Sequence, residues 1–220
     1  MKYSFIVFAI LLFNTCFAQS DLELKIINDT IKKVSIFDNN NIVYTLKNNS
    51  DKTYLIILDN DEFNEDGYNY VEAMFVGLPD YYVFEKKILM PSQMAFHHGT
   101  NKFDVDNTHM DFRRFEQSFS KLFSEEDLEI AFRISKNIIR LKPEEERYFS
   151  TKINFPSYKS RFIDLKNKSE YYFQISVQTP KEIVEKYYQP IKNKNNKDSI
   201  FVGQIFSQKI PLIYEVYNDK

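Results

Sequence analysis

Strict two-residue alternation of apolar and polar side chains constrains this chain more than any other feature. Phe149, Thr151, Ile153 and Phe155 fall on one side of an extended segment and Tyr148, Ser150, Lys152 and Asn154 on the other. Tyr171, Phe173, Ile175 and Val177 repeat the pattern against Tyr172, Gln174, Ser176 and Gln178. A pleated backbone sends successive Cβ atoms to opposite faces, so each segment reads as a strand with one buried side. Leu22, Leu24 and Ile26 alternate likewise with Asp21, Glu23 and Lys25, and Ile42, Tyr44 and Leu46 with Val43, Thr45 and Lys47. After them, Asn48-Asn49-Ser50-Asp51-Lys52 tolerates left-handed backbone and bonds its own main chain, and an almost wholly apolar stretch follows over 53–58. The pattern predicts a hairpin whose second strand is central. Two apolar runs, 200–206 and 210–216, end the chain; Pro211 lacks an N–H, which predicts that the last strand lies on an edge.

Helical periodicity is confined to fewer segments. Phe112, Phe115, Phe119 and Leu122 recur at three- and four-residue steps and predict a helix over about 111–123. Ser124-Glu125-Glu126-Asp127 has the spacing of a capping box ahead of Leu128, Ala131, Phe132 and Ser135, which predicts a second helix. Its end is open, since Ile138-Ile139-Arg140-Leu141 ahead of Pro143 also reads as a strand. A third, short helix fits Pro180 at its start through Ile183, Val184 and Tyr187, stopping before Pro190. The apolar-free stretch 192–198 reads as an exposed loop.

Early strand pairs, helices in the middle and late strand pairs, at spacings that suit turns, predict a mainly β protein: an antiparallel β-sandwich with a partly helical insertion at about 59–135, in one domain spanning 19–220. A resemblance supports this reading. The stretch Ile42-Val43-Tyr44-Thr45-Leu46-Lys47-Asn48-Asn49-Ser50-Asp51-Lys52-Thr53 resembles the strand, Asn-rich turn, strand opening of exported immunoglobulin-like modules of Gram-negative bacteria. Ile139-Arg140-Leu141-Lys142-Pro143-Glu144-Glu145 resembles their later Leu-x-Pro-Gly-Glu corner, departing from it at Glu144, where glycine normally permits a left-handed turn. The resemblance implies an immunoglobulin-like sandwich and no particular active site, because that fold has no common function.

The chain opens with Met1-Lys2, an apolar run from Phe5 to Phe13 and small residues up to Ala18, the pattern of a secretory signal peptide over 1–18. The run is shorter than the roughly 20 residues that span a bilayer. Cleavage after Ala18 would leave Gln19 first and place the protein in the periplasm or outside the cell. The alternative is lipidation of Cys16, which would attach it to a membrane, although Phe13-Asn14-Thr15 is a poor match to a lipoprotein signal. Cys16 is the one cysteine, so cleavage at Ala18 leaves no thiol chemistry. A formal net charge of −2 with no basic stripe argues against nucleic acid as a partner.

Candidate sites are few. His97, His98 and His109, the only 3 histidines, share one stretch with Asp104, Asp106 and Asp111, a donor set suited to a divalent metal, but no pair has the spacing that puts two ligands on one helical face. Asp59, Asp61, Glu65 and Asp66 crowd a loop ending in Gly67, the ligand chemistry calcium prefers, though Phe63 interrupts an EF-hand spacing. Tyr81-Tyr82, like Tyr171-Tyr172 and Tyr187-Tyr188, would put at least one phenol into solvent on a strand, available to a protein or glycan partner. No nucleophile elbow, Ser-x-x-Lys motif or phosphate-cradling glycine loop is present. The expectation is an exported, non-catalytic binding or structural module that meets a protein or glycan through the insertion and carries no cofactor. The alternative is a metal-binding protein or metal-dependent hydrolase built on His97, His98 and His109.

Overall fold

The computed structural model describes residues 21–33, 39–64, 76–94, 110–158, 161–192 and 197–216. Strands form where the alternation lies: β1 (Leu22–Ile26), β2 (Ile31–Lys33), β3 (Asn40–Asn48) and β4 (Tyr54–Ile57), then β5 (Asp80–Glu85) and the short β6 (Ile88–Leu89) and β7 (Gln93–Met94). Helices α1 (Met110–Phe119) and α2 (Glu125–Lys136) come next. They lead into β8 (Ile138–Leu141), β9 (Glu146–Ile153), β10 (Ser157–Tyr158), β11 (Arg161–Phe162) and β12 (Tyr171–Thr179). The helix α3 (Lys181–Ile183) continues as a π-turn over Val184–Tyr188, and β13 (Ser199–Ile200), β14 (Gly203–Phe206) and β15 (Ile210–Tyr214) follow. The protein is mainly β, with antiparallel and mixed sheets and three helices among the described residues.

Two sheets supply one core. In the first, β3 lies between β1 and β9, antiparallel to both. In the second, the order is β2-β15-β12-β5-β6, with β14 also on β12. Leu22, Leu24 and Ile26 of β1 and Ile42, Tyr44 and Leu46 of β3 meet Tyr81 and Val83 of β5, Phe173, Ile175 and Val177 of β12, and Leu212 of β15 in a single apolar cluster. Each such side chain contributes roughly 1.5–3 kcal/mol on leaving water. At the centre, Tyr81 stacks on Phe173 at 6.2 Å, while Phe155 meets both rings edge-on. Smaller sheets, β13-β4-β8 and β10-β11-β7, flank this core.

The hairpin expected from 42–58 does not form. β3 pairs with β9 and β4 with β8, in different sheets, so β3–β4 and β8–β9 are two arms of one antiparallel ribbon that bends as it passes between sheets. Asn48 holds the bend. Its side chain, fully buried, donates from Nδ2 to the carbonyls of Lys52 (2.6 Å), Leu141 (3.1 Å) and Lys142 (3.0 Å) and accepts at Oδ1 from Ser50 N–H (3.0 Å) and Ser50 Oγ (2.7 Å). The turn-former seen in the sequence therefore bonds both arms of the ribbon, across more than ninety residues of chain. On the opposite arm, Glu144 takes φ 58° despite lacking glycine's freedom, and Glu145 accepts from Lys142 N–H at 2.7 Å and from Arg147 Nε at 2.7 Å. β4 is the middle strand of its sheet, as its apolar composition predicts.

Nor does the chain end on an edge strand. β15 sits between β12 and β2, parallel to β2. Pro211 is tolerated because pairing with β2 begins one residue later, at Leu212 opposite Ile31. β14 and β15 succeed each other along one side of β12, at Ser176–Thr179 and Tyr171–Phe173 respectively. At the break between them, Gln208 reaches across to the first sheet, accepting from Ile26 N–H at 3.1 Å and donating to Ile26 C=O at 2.6 Å, in place of a strand partner. The first predicted helix is shorter than expected: it stops at Phe119, and Leu122 is 57% exposed. The second follows its cap, with Ser124 Oγ accepting from Asp127 N–H at 3.2 Å. The ambiguous Ile138–Leu141 is a strand.

Candidate functional site

The loop after β4 is held by its first acid. Asp59 accepts at Oδ2 from Arg133 Nη2 (3.1 Å) and Asn137 Nδ2 (2.9 Å), and its N–H donates to the carbonyl of Gly77 at 2.9 Å. Gly77 has φ 93°, and a Cβ there would lie 3.1 Å from Ile57 Cγ2, so glycine is required at this close approach. Phe63, which interrupts the acidic run, is fully buried and meets Tyr81 and Phe173 edge-on at 5.8 and 6.3 Å. The acidic segment is thus pinned to the core by the residue that spoils its calcium spacing. Of the four candidate calcium ligands, Asp59 and Asp61 are described; Glu65 and Asp66 lie outside the described residues.

The inserted helices form a layer of their own. α2 buries Leu128, Ala131 and Ile134, and the last two join Ile57, Val76, Ile183 and Tyr187 in a satellite core. Its first turn is fastened to the π-turn, because Asp127 Oδ1 accepts from Lys186 Nζ and from Tyr187 Oη, each at 2.8 Å. Those bonds, the lysine's first, hold the Asp127 carboxyl below its ordinary range, whereas burial raises the Tyr187 phenol. The wider winding of the π-turn, with Gln189 N–H on Val184 C=O, places Val184, Tyr187 and Tyr188 all inside. α1 then packs on α2 through rings: Phe112 and Phe115 lie 5.1 and 5.4 Å from Phe132, and Lys136 pairs with Asp111 at 2.6 Å.

Between α1 and α2 opens a cleft of about 330 Å³. Buried Phe112 and Leu128 contribute its apolar wall, and Glu116, Glu125 and Glu129 line it with carboxylates beside Arg113 and Gln117. An apolar wall with acids around it suits a side chain with an aliphatic stem and a cationic end.

A second polar cluster lies at the start of β5. Asp80, only 6% exposed, accepts from Asn64 Nδ2 at 2.8 Å. Burial pushes its carboxyl up to about 6 against the opposing pull of Asn64 and the Arg161 guanidinium. Arg161 is itself buried and lies 4.2 Å from the ring centre of Tyr81. On the far face of β5, Tyr82 Oη is 3.2 Å from Ser176 Oγ and accepts from Gln204 Nε2 at 3.1 Å, with Phe206 against its ring. Burial raises its phenol.

Tyr81 and Tyr82, expected to offer a phenol to solvent, are therefore both inside, as are Tyr187 and Tyr188. The strand has no wet face at this point, because Phe206 and Gln204 of β14 close over the side opposite the core. Among the described residues the large exposed aromatics are instead Tyr148, 67% exposed, and Phe206, 49%. His97, His98, His109, Asp104 and Asp106 lie outside the described residues, as does the 1–18 leader with Cys16. Among the described residues, no three His, Cys, Asp or Glu side chains converge as a metal would need. Sequence reasoning missed the α1–α2 cleft, although the signal was present: Glu125 and Glu129 are one helical turn apart and flank Leu128. Comparison with known families and with curated proteins finds no match to this chain.

Proposed function

We propose that the protein is an exported, non-catalytic binding module with an immunoglobulin-like β-sandwich as its scaffold and the inserted helices as its recognition layer. The scaffold reading is supported by two sheets sharing one core and by the ribbon that bends from sheet to sheet at Asn48. The observation that carries the binding reading is the cleft between α1 and α2. Its chemistry favours a protein partner over a glycan: a lysine or arginine stem would lie along Phe112 and Leu128 with its charge among Glu116, Glu125 and Glu129. Calorimetry with a capped Lys-containing pentapeptide and its norleucine analogue tests this. The reading expects saturable binding of the first, none of the second, and loss of binding on combining Glu116→Lys with Glu125→Lys. Equal binding of both peptides, or of neither, would overturn it. So would stoichiometric zinc in tag-free protein that disappears on His97→Ala or His109→Ala, which would favour the metal-dependent reading.

Export rests on the signal-like 1–18 segment. No helix among the described residues is long and apolar enough to cross a membrane. Intact mass of the protein from its host separates release at Gln19 from acylation at Cys16.

A further inference from the structure

Among the described residues the sheet margins are short except at one place. β9 is 8 residues long and, among the described residues, pairs through its β3 side alone, whereas the margins formed by β1, β8, β14, β2, β6, β7, β10 and β13 run to 5, 4, 4, 3, 2, 2, 2 and 2 residues. A long unpaired margin is a template for another strand, and proteins that avoid such pairing use a proline, a bulge, a very short strand or charged side chains. β9 carries no proline and runs in unbroken register with β3 from Glu146 to Ile153, and its outward charges are of both signs, Glu146 and Lys152, so a strand of matching sign pattern meets no net repulsion.

The direction of its backbone groups is fixed by that register. Asn48 N–H donates to Glu145 C=O at 3.0 Å, while Glu145 N–H turns back to Lys142 C=O at 3.1 Å; in step with that bond, residues 147, 149, 151 and 153 turn their N–H and C=O toward β3. Glu146, Tyr148, Ser150 and Lys152 turn theirs outward, and the same four residues have exposed side chains. We infer that β9 is a self-recognition edge, on which two copies of this chain pair antiparallel about a two-fold axis at Phe149, joining their three-stranded sheets into one. The occupant follows from complementarity. An added antiparallel strand must match outward residues with outward residues, which excludes every register that pairs an even with an odd position. Among the registers that remain, the one centred on Phe149 sets Glu146 of each copy opposite Lys152 of the other and Tyr148 opposite Ser150. Moving the centre to Ser150 sets Glu146 opposite Asn154 and Lys152 opposite Tyr148, and moving it to Tyr148 sets Glu146 opposite Ser150 and leaves Lys152 beyond the end of the partner strand, opposite the turn residue Glu144. At the axis, Phe149, half-buried and stacked on Tyr44 at 5.5 Å, meets its own counterpart in a non-hydrogen-bonded pair with Cα atoms roughly 4.5 Å apart. An interface of this kind is isologous, so every contact occurs twice.

The test is sedimentation equilibrium of the full chain, with amide exchange as a second readout. The wild-type chain is expected to dimerise. Glu146→Lys or Lys152→Glu creates two like-charge pairs across the axis, and each should raise the dimer Kd about tenfold. The two reversals together should bring it back to within about threefold of wild type. Ser150→Pro, which removes an outward N–H without touching the β3 ladder, should abolish dimerisation while far-ultraviolet circular dichroism is retained. At dimeric concentrations the amides of Tyr148, Ser150 and Lys152 should become protected, whereas those of Phe149 and Thr151 are protected at every concentration. A chain that stays monomeric at millimolar concentration, a dimer whose Kd ignores both reversals, or rapid exchange of the outward amides within the dimer would overturn the inference.

Discussion

Replacing Asn48 by alanine should unfasten the bend between the two sheets. The substitution removes donation to three carbonyls and acceptance from both Ser50 groups, at a side chain with no solvent exposure. A neutral hydrogen bond contributes a net 0.5–1.5 kcal/mol or so, and a stranded buried carbonyl costs about 1–3 kcal/mol. The carbonyls of Lys52 and Lys142 belong to exposed residues and can recover water, while Leu141, fully buried, keeps only its ladder pairing with Tyr54. Bonds that share one side chain add to less than their separate values, and the expected cost is about 3–5 kcal/mol, a large part of the roughly 5–15 kcal/mol that holds a domain folded. In urea the midpoint should fall by about 1.5–2 M with an unchanged slope. Asn48→Asp sharpens the test, since it keeps the acceptor for Ser50 and turns a carboxylate toward three carbonyl oxygens. It should be less stable than the alanine variant at pH 7. Burial would raise that new carboxyl's folded pKa above its unfolded value, so the deficit should shrink as the pH falls and the group regains a proton to donate. An alanine variant within about 1 kcal/mol of wild type, or an aspartate variant more stable than alanine at pH 7, would refute this account of the corner.

Three further substitutions probe the rest of the fold. The carboxyl of Asp80 is raised from 3.8 to about 6 by burial, so the native state takes up its proton before the unfolded chain does, and the penalty on folding grows as the pH rises between those two values and is full above the higher one. Acidification from pH 7 to pH 5 should relieve about 1 kcal/mol of the penalty, and Asp80→Asn should raise stability at pH 7 while removing that dependence; urea titrations at both pH values check the sign. Glu144→Gly should stabilise the β8–β9 corner by about 0.5–1 kcal/mol, because glycine adopts φ near 58° without strain, and a lowered thermal midpoint would contradict it. Phe63→Ala should cost about 3–5 kcal/mol through the cavity it leaves beside Tyr81 and Phe173, whereas an indifferent midpoint would mean that the acidic loop is not pinned to the core.

What could be read from the sequence was whatever a short window determines. The alternation at Leu22–Ile26 and Tyr171–Thr179 marks strands correctly, because a sheet with one buried face imposes period two on each strand separately. The Ser124 cap was legible for the same reason: donor and acceptor lie three residues apart. Partner choice is not local, and there the reading failed. Asn48 has the residues of a turn, yet the carbonyls that decide which way the chain turns belong to Leu141 and Lys142. Pro211 suggests an edge only if β2 is taken to pair along the whole of β15, and the register starting at Leu212 depends on a strand near the other end of the chain. Tyr82 looks half-exposed until β14 is laid over it. In the candidate site, Phe63 was visible as a flaw in a calcium loop, and its partners Tyr81 and Phe173 explain the flaw. The cleft went unseen because it needs Phe112 and Glu116 of one helix set against Glu125, Leu128 and Glu129 of another, a crossing that neither periodicity contains.

The most direct test of recognition by the inserted helices is nuclear magnetic resonance of the isotope-labelled protein titrated with the capped lysine peptide. The account predicts saturable shifts concentrated at Phe112, Arg113, Glu116, Gln117, Glu125, Leu128 and Glu129, the residues lining the cleft. Shifts centred on the sheets with the two helices unmoved, or an unchanged spectrum at saturating peptide, would contradict it.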